Sequence, residues 1–135
     1  MRYLGIDYGS KKIGLALSDE EGTMGFPFLV IPNDARVSDA LSLLIEEEHI
    51  GGIVIGESRD FQGNHNPIAV PARALGEELA ERTGSGVFYE PEMLTTQEAK
   101  RDFEGLHSHK RGNVDASAAA LILTSYLSRH GKATN

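Results

Sequence analysis

The stretch 3-YLGIDYGSKKIGLALSD-19 constrains the fold more than any other part of the chain. Leu4 and Ile6, then Ile13, Leu15 and Leu17, alternate with small or polar residues, which is the period of strands. Only Tyr8-Gly9-Ser10-Lys11 joins the two runs, a link short enough for a hairpin. A strand this apolar belongs in a core, yet it carries Asp7 near its end. Desolvating an ionised carboxylate is costly unless something compensates it. Function turns on what compensates Asp7.

The chain continues as an antiparallel meander. Glu20-Glu21-Gly22 marks a second turn, and Met24 to Ile31 reads as a third, Pro-interrupted strand near a sheet edge. The period then changes. Val37, Leu41, Leu44 and Ile45 share one helical face, with Asn33 or Asp34 as N-cap and Gly51-Gly52 past the end. Ile53-Val54-Ile55 is a short continuous apolar run, typical of a strand buried on both faces. Asn66-Pro67 reads as an N-cap followed by Pro at the first helical position. Ile68, Ala72, Leu75 and Leu79 continue that helix to near Gly84. Val87-Phe88-Tyr89 is another strand. Thr95 and Glu98 have capping-box spacing and open a short helix to about Phe103. After a polar loop from Gly105 to Gly112, Asp115 to about Arg129 forms a helix. It is apolar nearly all round at Ala118, Ala119, Leu121, Ile122 and Leu123, so packing on several sides is expected.

Alternating strands and helices after a meander imply an α/β fold: a mixed sheet with helices on both faces. The first strand should be central, between its hairpin partner and the later parallel strands. Residues 1–130 are expected to form one domain and 131–135 a flexible tail. With 135 residues, 40% hydrophobic and 24% charged, the chain can build an ordinary core without staples. The absence of cysteine excludes disulfides, thiolate metal sites and a Cys nucleophile. No apolar run approaches the roughly 20 residues of a membrane span, and no signal peptide precedes the first strand, so a cytoplasmic location is expected. A net charge of −7 speaks against electrostatic coating of nucleic acid. It leaves open an enzyme that meets a phosphate backbone through cations held by carboxylates.

In such sheets ligands gather outside the carboxyl ends of the parallel strands. Asp7, Glu57, Glu90 and Glu92 all fall near those ends, and Asp115 opens the last helix. Carboxylates that converge repel one another, and hard divalent cations such as Mg²⁺ or Mn²⁺ compensate them. Two such ions about 4 Å apart can clamp a phosphodiester. Each acid also has a plainer reading: Asp7 as a turn residue, Asp115 as a helix N-cap, Glu57 and Glu92 as solvated loop acids. Convergence, not any single acid, is what points to metal. Gly9 to Gly14 is no P-loop, because Leu15-Ala16 follows it and it leads into a strand.

Four segments in order resemble the YqgF-like (RuvX) family, described as Holliday junction resolvases or pre-16S ribosomal RNA nucleases. They are Asp7-Tyr8-Gly9-Ser10-Lys11-Lys12-Ile13-Gly14, then Ile55-Gly56 through Gly63 and Pro67, then Glu92 to Ala99, then Val114-Asp115-Ala116-Ser117-Ala118. The resemblance implies an RNase H-like fold with a five-stranded mixed sheet, and a metal-dependent phosphodiesterase with Asp7, Glu92 and Asp115 as metal-binding acids. The chain departs from the family pattern in three places. Pro91 stands where an Asp usually precedes the Glu, Met93 replaces an Arg, and Glu57-Ser58 replaces Leu-Pro. Related resolvases carry a carboxylate at that strand end, which makes Glu57 a fourth candidate. Lys11, Lys12, Arg59, Arg101, Lys110 and Arg111 are expected to border the site and contact nucleic acid. His107 and His109 read as part of a solvated loop. The expected cofactor is Mg²⁺ or Mn²⁺, and the expected partner is structured RNA, with branched DNA second, for a monomer or homodimer. The alternative is a non-catalytic nucleic-acid or ribosome-associated module that kept the fold and lost part of the site.

Overall fold

The computed structural model describes residues 1–57, 69–91 and 116–130. Three strands come first: β1 (Arg2–Tyr8), β2 (Lys12–Ser18) and β3 (Gly25–Pro32). They are followed by α1 (Val37–Glu47), β4 (Ile50–Glu57), α2 (Ala69–Thr83), β5 (Gly86–Pro91) and α3 (Ala116–His130). One five-stranded sheet results, in the order β3-β2-β1-β4-β5. The meander pairs antiparallel, β1 pairs parallel with β4, and β4 pairs parallel with β5. β1 is central and β3 is an edge strand, as the sequence pattern requires. The expected helix over 95–103, the Asn66-Pro67 cap, the loop 105–112 and the tail lie outside the described residues.

Alternation sorts the side chains into two cores. Leu4, Ile6, Leu15, Ile53 and Ile55 face α1 and α2, where they meet Leu41, Ile45, Leu75 and Leu79. Ala16 and Val54 face α3, against Ala119, Ile122, Leu123 and Leu127. Small residues on this second face let α3 lie close. A Cβ at Gly5 would stand 2.8 Å from Leu123 Cβ and 2.9 Å from the Ala119 carbonyl oxygen. A Cβ at Gly25 would meet Leu123 at 2.9 Å. The Thr124 hydroxyl accepts the Gly25 N–H at 2.9 Å, fixing the helix along its axis as well.

Three local expectations change. Asn33 does not cap α1; the N-cap is Arg36, without a side-chain hydrogen bond. Asp34 makes an Asx turn instead, accepting the Arg36 N–H at 2.9 Å. Gly51 and Gly52 do not end α1 but lie inside β4, where Met1 and Tyr3 occupy the space that a Cβ at either would need. The reversal after α1 falls to His49, at φ 56°. Finally, α3 is not apolar all round in its packing: Leu121 is 68% exposed, and the helix buries one side across the sheet.

At Gly5 α3 therefore packs directly on the backbone of the sheet. Gly5→Ala should cost about 1–3 kcal/mol, because one neighbour is a backbone oxygen that only a shift of the whole helix can move. Urea unfolding checks this; an unchanged midpoint would mean that the helix is not pinned there.

Candidate active site

Asp7 is the next-to-last residue of β1 and is partly buried. It shares the pleat of Tyr3 and Gly5, the residues of β1 that meet α3. Its carboxylate thus stands on the α3 side of the sheet, at the carboxyl end of the central strand. Its cross-strand neighbour in β2 is Gly14. In β4, Ile55 pairs with Ile6, and continuing that register puts Gly56 level with Asp7. Glycine on both sides leaves the carboxylate without flanking side chains on its own strand level.

The loop after Asp7 is braced from β3. The Asn33 side-chain amide donates to the Gly9 carbonyl at 2.8 Å, and its backbone N–H donates to the Lys11 carbonyl at 2.9 Å. Asn33 therefore holds the mouth of the hairpin. The only sequence signal for this was a polar residue directly after an apolar strand, which equally fits a helix cap. Lys11 and Lys12 are exposed at this same mouth.

Glu57 is the last residue of β4 and pairs with Pro91. In backbone register it lies one step beyond Gly56, the residue level with Asp7. Glu92 follows the last residue of β5 and Asp115 precedes the first residue of α3; both lie outside the described residues, as do Arg59, Arg101, Lys110, Arg111, His107 and His109. Among the described residues no group of three or more acids or histidines is arranged to hold a metal ion. The described part of the site is Asp7 with its glycine neighbours and the braced hairpin. Its hard oxygen donor suits Mg²⁺ or Mn²⁺, and further ligands would have to come from Glu92, Asp115 and Glu57.

Glu90 belongs to a different arrangement. It is inside β5, level with Gly56, and only 2% exposed. The Ser125 hydroxyl donates to its carboxylate at 2.7 Å, and the Arg129 guanidinium pairs with it. Two strand spacings, about 10 Å, separate its backbone from that of Asp7. Its charge is compensated from within the protein, by α3. Beside it, Tyr126 stacks on Phe88 and His130, with ring centroids 5.4 and 4.3 Å apart. Burial, followed by the nearby Tyr3 and Glu90, raises the Tyr126 pKa.

Residues 1–129 match the profile of RuvX, described as Holliday junction resolvase. The chain belongs to the RuvX family. A relative from Lactiplantibacillus plantarum, named as a candidate pre-16S rRNA nuclease, is 38% identical over 142 residues, covering 99% of both chains. One from Anaeromyxobacter, named the same way, is 39% identical over 132 residues, covering 94% of this chain and 96% of the other. Among solved structures, Thermus thermophilus RuvC superposes with a TM-score of 0.63 at 18% identity, over 97% of each chain. RuvC in complex with a Holliday junction substrate gives 0.62, over 97% of this chain and 96% of that one. The fold of this RuvX-family chain is RNase H-like.

Glu90 tests the division between structural and catalytic acids. Glu90→Gln keeps an acceptor for Ser125 and removes the charge that Arg129 meets. It should lower stability by about 1–3 kcal/mol, read by urea unfolding, while the folded fraction cleaves as before. Full stability with lost cleavage would move Glu90 into the site.

Proposed function

We propose that this RuvX-family chain is a divalent-cation-dependent endonuclease acting in the cytoplasm on structured nucleic acid. Ribosomal RNA precursor is the first substrate in this reading and four-way DNA junction the second. The observation that carries it is the placing of Asp7: a carboxylate at the carboxyl end of the central strand, between two glycines, on the face against which α3 packs. The names of the relatives support the choice of RNA, and the likeness of the fold to RuvC supports phosphodiester chemistry.

In this reading Asp7, Glu92 and Asp115 hold Mg²⁺ or Mn²⁺, and Glu57 contributes. Held there, such ions would supply an activated water and positive charge for the leaving oxygen. The protein's part is to fix the carboxylates: Asp7 by the sheet, its loop by Asn33. Lys11 and Lys12, with Arg59, Arg101, Lys110 and Arg111, contact the phosphate backbone. Domain limits of 1–130 with a tail at 131–135 complete the proposal.

Asp7→Asn preserves shape and removes charge. It should abolish cleavage while the melting temperature in metal-free buffer stays level or rises, because crowded carboxylates repel. Asp115→Asn should keep the helix start, since Asn caps nearly as well as Asp, yet lower activity by orders of magnitude. Full Mg²⁺-dependent cleavage in the Asp7 variant would sink the assignment; in the Asp115 variant it would reduce that residue to a cap. Calorimetric titration with Mn²⁺ separates an enzyme from a non-catalytic module: binding that Asp7→Asn weakens supports the enzyme, and no binding supports the module.

Glu57→Gln and Glu92→Gln, compared at equal Mn²⁺, rank the remaining acids. Glu92 is expected to be essential, because it matches the family motif. Glu57 is expected to contribute, because its strand neighbours β1. Loss confined to the Glu57 variant reverses that order, and no loss in either removes the carboxylate cluster.

A further inference from the structure

The last turn of α3 carries an arginine that is anchored from within the protein and still open to solvent. Glu90, buried in β5, pairs with the Arg129 guanidinium, and Ser125 one turn earlier donates to the same carboxylate at 2.7 Å. The Arg129 side chain is nevertheless 56% exposed. Among the described residues Glu90 is the guanidinium's only partner. A guanidinium has five N–H donors, so most of this one's remain unused. A fork already held in place also loses little freedom when it takes a further oxyanion.

Next to Arg129 a column of rings ends at the surface. Phe88 stacks on Tyr126 with an angle of 27° between planes, and Tyr126 stacks on His130 at 23°. Tyr126 is only 9% exposed, whereas His130 is an exposed residue. The imidazole is thus the outer ring of the column and is backed by a buried one. Aromatic rings beside an arginine suit unpaired bases, because every base has a π-face and pairing restricts access to it.

We infer that this corner of α3 holds one unpaired nucleotide of an RNA strand, its phosphate on Arg129 and its base on His130. The inference rests on the nuclease reading and names the part of the substrate taken up there. Charge selects this face. α1 and α2 carry Asp39, Glu46, Glu47, Glu77, Glu78 and Glu81, while α3 has no acid from Ala116 to His130. A polyanion is repelled by the first helical layer and not by the second. Position agrees as well. Glu90 pairs with Gly56, the residue level with Asp7, so Arg129 is anchored at the same end of the sheet as the candidate metal ligand. The backbone separation of about 10 Å corresponds to roughly three nucleotides of stacked strand. The feature selected is therefore an unpaired residue a few nucleotides from the cut.

Binding measured in EDTA tests this without metal or cleavage. The probe is a short single-stranded RNA with 2-aminopurine at its centre, titrated with the full chain over a range of salt. Stacking on His130 should quench its fluorescence. His130→Ala should weaken binding about fivefold or more and remove the quenching, and His130→Phe should restore both. Arg129→Gln should lower the slope of log affinity against log salt by about 0.7, and Arg129→Lys should restore it. If Arg129→Gln does not fold with Glu90 left unpaired, Glu90→Gln/Arg129→Gln is compared with Glu90→Gln alone, which removes the guanidinium without stranding a buried charge. Binding that neither the His130 nor the Arg129 variants alter overturns the inference and leaves the nuclease reading standing. A fully paired duplex that binds as well and loses as much in the variants overturns it too. So does a natural chain that binds no RNA at low salt; Mn²⁺-dependent cleavage then decides the nuclease reading separately.

Discussion

The contact on which the rest depends is the seating of α3 on backbone at Gly5. Sheet and helix normally pack through two layers of side chains; here one layer is missing along a row formed by Gly5, Ala16 and Gly25. Leu123 fills that row, fully buried, and losing such a side chain generally costs about 2–5 kcal/mol. Because the row crosses β1, β2 and β3, it fixes the helix on the meander before any loop contributes. It also determines which end of the helix lies where. Ala119 and Leu123 stand over Gly5, and Tyr126 stands by Tyr3 at the amino end of β1, so α3 runs back along β1 from an origin on the Asp7 side.

That seating leaves two acids on one face in different electrostatic situations. Glu90 sits where the later turns of α3 pass, and Ser125 and Arg129 answer its charge. Asp7 sits towards the first turn of α3, between Gly14 and Gly56, neither of which has a side chain to offer. The same helix answers Glu90 with its own cation, while Asp7 stands level with two glycines at the carboxyl end of the central strand. An internal guanidinium makes a structural acid. A carboxylate at the carboxyl end of a central parallel strand, where ligands of such sheets gather, is the physical core of the nuclease reading.

The meander, the central place of β1 and the two-faced sheet were legible because alternation and period survive in a single sequence. What failed did so where one residue type satisfies two environments. Asn33 suits a helix cap and a loop brace alike, and only the nearness of Gly9 and Lys11 in space separates them. Gly51 and Gly52 resembled a helix stop; they are small because Met1 and Tyr3 need their space, a long-range contact with no local signature. Leu121 lengthened the apolar pattern of α3 without joining its buried side. Glu90 could be sorted from the other strand-end acids only by its partners, which lie 35 and 39 residues later. Glu92 and Asp115 drew attention by their places after a strand and before a helix, and the family resemblance added their expected role as metal ligands.

The net charge of −7 bears on the site less than its size suggests, because among the described residues the acids are unevenly placed. Glu20 and Glu21 lie at the turn near the amino end of β1, where the Met1 ammonium donates to the Glu20 carbonyl. Glu46, Glu47 and Glu48 end α1 at the same pole, with Arg2 engaging Glu48 at 2.9 Å. β1 spans about 20 Å, and the Debye length in physiological salt is about 8 Å. Repulsion from that acidic pole is thus largely screened before it reaches a phosphate at the Asp7 end. There the nearest exposed formal charges on the hairpin are Lys11 and Lys12. A chain acidic on the whole can present a locally basic mouth to a polyanion, and the length of its central strand is what keeps the two apart.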